Sequence, residues 1–130
     1  MKRTLLLSLL VVLILSACKK KNEEVVISLK GKWKAENSIY KEFDNSTLIY
    51  TYTEPFERTT FDFQNNGNLV ISDDSGYETY PYTLQNNTSV QFAGDTYEIK
   101  NLTATSVSLY YRSEFGPDGD YMEYFINLKK

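Results

Sequence analysis

From Leu29 onward the chain alternates apolar and polar residues with a period of two, which predicts strands rather than helices. "TTFDFQ" sets Phe61 and Phe63 on one face and Asp62 and Gln64 on the other. "TYEIK" opposes Tyr97 and Ile99 to Glu98 and Lys100. "VSLYYR" opposes Val107, Leu109 and Tyr111 to Ser108, Tyr110 and Arg112. "YMEYFINLK" aligns Met122, Tyr124, Ile126 and Leu128 against a mixed face of Tyr121, Glu123, Phe125 and Asn127. "ETYPYTL" aligns Tyr80, Tyr82 and Leu84, and Pro81 marks an edge or a bulge because it brings no N–H to a ladder. No stretch carries the i, i+3, i+4, i+7 spacing of an amphipathic helix.

Turn residues punctuate these runs. "QNNGN" is the strongest signal, with Asn66-Gly67 expected to supply the positive φ of a tight hairpin. "DDSGY", "QNNTS", "AGD" and "FGPDGD" mark further turns. The expected strands lie near 32–40, 47–54, 57–64, 68–72, 77–85, 89–92, 96–101, 105–113 and 120–128. Eight or nine short strands on hairpin-length connections make an antiparallel meander. Such a meander closes most economically as an up-and-down barrel, which removes its edges. The fold expected is therefore all-β, one domain over residues 29–130, with a core adequate without disulfides.

The first residues follow a different pattern. Lys2 and Arg3 precede an apolar run from Leu5 to Leu15, then the small pair Ser16 and Ala17, then Cys18, the only cysteine. Charged, apolar, small is the order of a secretory signal. The run is shorter than the roughly 20 residues a membrane span needs. "LSAC" resembles the bacterial lipoprotein box. That resemblance implies a signal peptide over 1–17, cleavage before Cys18, and acylation of the Cys18 thiol and of the new amine. Two or more acyl chains hold a protein stably to a bilayer, where one holds it reversibly. A single thiol leaves no internal disulfide.

Removing Lys2 and Arg3 from 14 basic residues leaves 12 against 17 acidic ones, a net charge of −5 for Cys18–Lys130. No basic stripe calls for nucleic acid. Lys19 to Glu24 are too polar to pack, so 18–28 is expected to be a lipidated flexible tether. Lysines followed by acidic residues behind the cysteine resemble the surface-export signal of Bacteroidetes lipoproteins; a solvated spacer accounts for them equally. The expected location is the cell envelope, lipid-anchored at the outer membrane, with periplasmic and surface-facing placement both open.

"LKGKW" at Leu29 to Trp33 contains the G-x-W that opens the first barrel strand of lipocalins. "TFDFQNNGNLVI", "YEIKNLTATSVSLYY" and "MEYFINLKK" are similar to the small lipocalin-like lipoproteins of Bacteroidetes. The resemblance spans nearly all of the domain and implies a lipocalin-like barrel that carries a ligand. The C-terminal helix of larger lipocalins and their other signature segments have no counterpart here.

Candidate chemistry is sparse. Histidine, the commonest general base and metal ligand, does not occur, so a Ser-His-Asp triad cannot be assembled. The acidic runs Asp73–Ser75 and Pro117–Asp120 lack the ligand count of a calcium loop and read as turns. The sequons at Asn45, Asn86, Asn87 and Asn101 read as turns as well. No catalytic residue, metal or cofactor is expected. The 11 tyrosines are the remaining signal. Trp33, Phe61, Phe63, Tyr82, Tyr97, Tyr111 and Tyr124 fall on the faces assigned inward. Either they fill the barrel, or they line a pocket for one small apolar or amphipathic ligand. In the first case the domain is a tethered module that binds a protein or glycan partner through loops or outer tyrosines such as Tyr110 and Tyr121. The two functions are distinguished by whether the lumen is open.

Overall fold

The structure is a computed structural model that describes residues 27–116 and 118–130. The leader, Cys18 and the tether up to residue 26 lie outside the described residues, as does Pro117. Nine strands are present among the described residues: β1 (Gly31–Asp44), β2 (Thr47–Pro55), β3 (Thr60–Phe63), β4 (Asn68–Asp73), β5 (Gly76–Gln85), β6 (Ser89–Phe92), β7 (Asp95–Lys100), β8 (Ser106–Phe115) and β9 (Asp120–Lys129). All pairings are antiparallel. Each expected strand is there, and the described residues hold no helix.

The wall runs β1-β3-β4-β5-β6-β7-β8-β9 and closes where β9 pairs with β1. This is an eight-stranded up-and-down barrel with one extra strand. The extra strand is β2, and its placement departs from a simple meander. β1 is 14 residues long and divides its edge between two partners. Residues Gly31–Lys34 pair with β3, and Asn37–Asp44 pair with β2. On its other edge Lys34–Phe43 pair with β9. The far half of β1 therefore leaves the barrel wall, carrying β2 and β9 with it.

β1 is longer than the 32–40 expected and runs on through Asp44 into a two-residue turn. Asn45 and Ser46 both have positive φ, at 46° and 65°, which matches the twist of a tight hairpin. At the turn after β3 the positive φ sits on Gly67 alone, at 85°, and not on Asn66. Four residues connect the strands there: the Gly67 N–H donates to the Gln64 carbonyl, and Asn66 Oδ1 accepts from the Asn68 N–H. Glycine at the left-handed position, with asparagine bonding its own backbone two residues on, is turn chemistry of a slightly longer kind.

The core sits in the half of the barrel where the chain enters. Leu29, Trp33, Ala35, Phe61, Phe63, Leu69, Val90, Phe92, Val107, Leu109, Ile126 and Leu128 are buried together. Trp33 donates its indole N–H to the Leu29 carbonyl at 2.7 Å, and Lys130 Nζ lies 4.6 Å from the ring centroid. These groups close the floor. Ile27 already touches the barrel, since its carbonyl accepts from Asn87 Nδ2 at 3.1 Å.

Candidate functional site

Side chains of β1 past Glu36 follow from the register. Ala35 faces Leu128 and Asn37 faces Asn127, so Glu36 is a bulge residue that restarts the alternation. The inner face then continues through Ser38, Tyr40 and Glu42, beside Ile126, Tyr124 and Met122 of β9 and Leu109, Tyr111 and Ser113 of β8. On β2 the same face carries Tyr50, Tyr52 and Glu54, opposite Glu42, Tyr40 and Ser38. β7 pairs with β8 only as far as Tyr110, so Tyr111–Phe115 also extend past the wall. The result is a four-stranded overhang, in the order β2-β1-β9-β8, at the end opposite the floor. Its two distal turns are tied together, with the Asn45 N–H donating to Asp120 Oδ1 at 3.1 Å.

The inner face of the overhang and the adjoining barrel mouth are rich in tyrosine. Tyr97 stacks on Phe92 at 4.7 Å and leans on Tyr111 at 5.8 Å. Tyr40 meets Tyr50 edge-on at 6.2 Å, and its hydroxyl donates to Glu42 Oε2 at 3.4 Å. Burial, with Asp95, Tyr124 and Tyr111 nearby, pushes the Tyr97 hydroxyl up to about 12. Burial and then the Glu42 carboxylate raise Tyr40 as well. The charged groups along this face (Glu42 and Glu54, with Asp95 at its margin) are all acidic.

The outer face is built differently. Phe43 and Tyr121 stack at 4.4 Å, and the Arg112 guanidinium covers Tyr121 at 3.8 Å. Lys41 lies over Phe125 and Lys100 over Tyr110, at 5.3 and 5.0 Å. Tyr110 donates to Glu123 Oε1 at 3.0 Å, and burial followed by this bond pushes its hydroxyl up to about 12. Ser108, Asn127 and Asn37 form a hydrogen-bonded row across β8, β9 and β1. Tyr110, Tyr121 and Phe125 are thus covered by cations, whereas the inner-face rings on β2 carry none: Tyr50 and Tyr52 are each 51% exposed.

The seven aromatics expected to face inward do so, at different depths. Trp33, Phe61 and Phe63 are packed core side chains, at 0, 4 and 1% exposure. Trp33 is fully buried, with no water-sized void beside it. Tyr82 is half-buried against Phe63, with its hydroxyl donating to the Gln64 carbonyl at 2.8 Å. Tyr97, Tyr111 and Tyr124 stand at the mouth, half-buried and open towards the overhang. Cys18, the lipid-attachment residue, lies outside the described residues. The alternation identified this interior face. It missed Tyr40, Tyr50, Tyr52, Glu42 and Glu54, although "YTYTE" holds Tyr50, Tyr52 and Glu54 on one parity.

Surface hollows occur elsewhere. One of about 330 Å³ lies at the β4–β5 hairpin, lined by Asp73, Ser75 and Glu78 among others. Asp73 is spent on its own turn: it accepts from the backbone and hydroxyl of Ser75, which hold its carboxyl below the usual range. No group of three or more potential metal ligands occurs among the described residues. The chain matches no protein-family model, no curated protein and no solved structure.

Proposed function

We propose that this is a lipid-anchored, non-catalytic binding protein of the cell envelope, in which a solid barrel presents the tyrosine-lined overhang to a partner. The carrying observation is the division of its aromatics. Those in the lower barrel are buried against one another, while Tyr40, Tyr50, Tyr52, Tyr97, Tyr111 and Tyr124 collect at the far end. Filled interiors stabilise small barrels; uncovered aromatic rings beside polar groups are the composition of recognition surfaces. The polarity of the chain supports the same reading. Residue 27 enters at the floor, so the chain joins the barrel at the end opposite the overhang and an N-terminal anchor would leave the overhang free.

Lipocalin-like carriage of an apolar ligand inside the barrel requires space beside Trp33. Titrating the mature domain with laurate while following Trp33 emission tests the point. The solid-barrel reading expects no saturable change. A saturable one-to-one shift would restore carriage in the lumen as the better account.

A further inference from the structure

We infer that the partner is an extended, basic polypeptide segment that adds as a strand to the open edge of β2. This inference rests on the reading of the overhang as the binding surface. β2 pairs with β1 on one side only, and all nine of its residues are exposed. The Phe56 N–H donates to the Glu36 carbonyl at 3.0 Å, which fixes the alternation along the strand. Residues 50, 52 and 54 turn their backbone groups to β1; Thr51 and Thr53 turn theirs to the open edge. Natural edges are ordinarily blunted by lysine, proline, a bulge or a covering element. Here Thr47–Thr53 contains no charge and no proline; the bulge falls at Ile49, opposite the Glu42–Phe43 step, and Tyr50–Thr53 beyond it run in regular register up to Glu54 and Pro55. An uncharged edge of bare N–H and C=O groups is a template for strand addition.

Charge selects the occupant. Residues 42–57 carry four carboxylates (Glu42, Asp44, Glu54 and Glu57) and no cation. Among the described residues none of the four is in a salt bridge; the cations nearby are engaged, Arg58 with Asp74 and Lys41 over Phe125. A strand laid along β2 places every second side chain beside Tyr50, Tyr52 and Glu54. Lysine or arginine at those positions meets exposed tyrosine faces and unpaired carboxylates together, the combination that holds a cation best at a surface. A second copy of this chain fits less well. A two-fold pairing of β2 about Thr51 would stack tyrosine on tyrosine, but it would gather Glu42 and Glu54 of both copies on one face.

The test uses the mature protein with Cys18→Ser and a ten-residue peptide that alternates lysine and threonine, measured by calorimetry at low salt. Saturable one-to-one binding is expected. Glu42→Gln with Glu54→Gln should weaken it about tenfold, since two exposed charge pairs are lost. Thr51→Pro removes an N–H that β1 does not use, so the far-UV spectrum should be unchanged while binding is lost. A glutamate–threonine peptide of equal length should not bind. Binding that survives both variants contradicts the inference, as does a concentration-dependent dimer that blocks the peptide. If only an oligosaccharide such as maltohexaose binds, and Tyr50→Ala abolishes it, the overhang reading stands and the strand inference falls. If neither peptide nor oligosaccharide binds, both fall.

Discussion

The Trp33 indole N–H and the Leu29 carbonyl meet at 2.7 Å with both side chains fully buried. The bond satisfies the one polar atom of a residue that otherwise serves as packing, and it turns Leu29 inward to cap the barrel. Trp33→Ala should cost about 3–5 kcal/mol and Leu29→Ala about 2–5 kcal/mol in urea unfolding. Trp33→Phe should cost less than Trp33→Ala, because the ring remains and only the hydrogen bond and part of the volume are lost. Equal stabilities for Leu29→Ala and wild type would show that the floor does not close as described.

Phe61 and Asp62 are neighbours on opposite faces of β3, with Phe61 buried and Asp62 partly exposed. Phe61→Ala should cost about 3–5 kcal/mol. Asp62→Asn should change stability by less than about 0.5 kcal/mol, as surface substitutions usually do. Reversal of that order in denaturant midpoints would mean the parity of β3 is wrong.

The seam between β1 and β9 carries a polar row. Asn127 accepts from the Ser108 hydroxyl at 2.5 Å and donates to Asn37 Oδ1 at 2.7 Å. Asn127→Leu removes both bonds and leaves Asn37 and Ser108 without that partner in a half-buried setting. A loss of about 1–3 kcal/mol follows. Chemical denaturation of Asn127→Leu and Ser108→Ala checks it, and the single hydroxyl loss should be the smaller.

Alkaline pH should weaken the fold. Tyr97 and Tyr110 are each pushed up to about 12, while an unfolded tyrosine ionises near 10. The folded form therefore keeps its protons longer than the unfolded one. Stability from these groups is complete below about pH 10 and is lost as the pH rises towards about 12. Urea midpoints should hold steady near neutrality and fall across that window. Tyr97→Phe should lessen the fall, and an identical profile in the variant would contradict the assignment.

Anchoring makes a separate prediction. Cys18→Ser should abolish incorporation of a fatty-acid probe and release the protein from membranes. Equal labelling of variant and wild type would remove the lipoprotein reading without touching the overhang.

Strand positions in the barrel wall were legible in the sequence because those strands have one buried face, and burial writes a period of two. Phe61, Phe63, Leu109 and Leu128 show it most cleanly. The overhang was not legible for the same reason. β2 buries neither face, so nothing in "TLIYTYTEP" reveals which side of the sheet it takes or that β1 serves two partners. That information lies in the register between Glu36 and Phe56, which no local pattern encodes. The turn at Asn45 was legible, since Asn45 tolerates the positive φ that a tight turn requires. Among the tyrosines, alternation separated inner from outer faces, yet it carried no signal for depth. Trp33 and Tyr111 share a face while one is sealed in the floor and the other stands at the mouth.

The most direct test of where this protein recognises its partner is a two-dimensional amide spectrum of the ¹⁵N-labelled mature domain, titrated in parallel with laurate and with the lysine–threonine peptide. With the peptide, shifts should concentrate at Thr51, Thr53 and their neighbours on β2. The Trp33 indole signal should stay fixed throughout both titrations. Movement of that indole signal with laurate, and a silent β2 with the peptide, would place recognition inside the barrel and contradict the account.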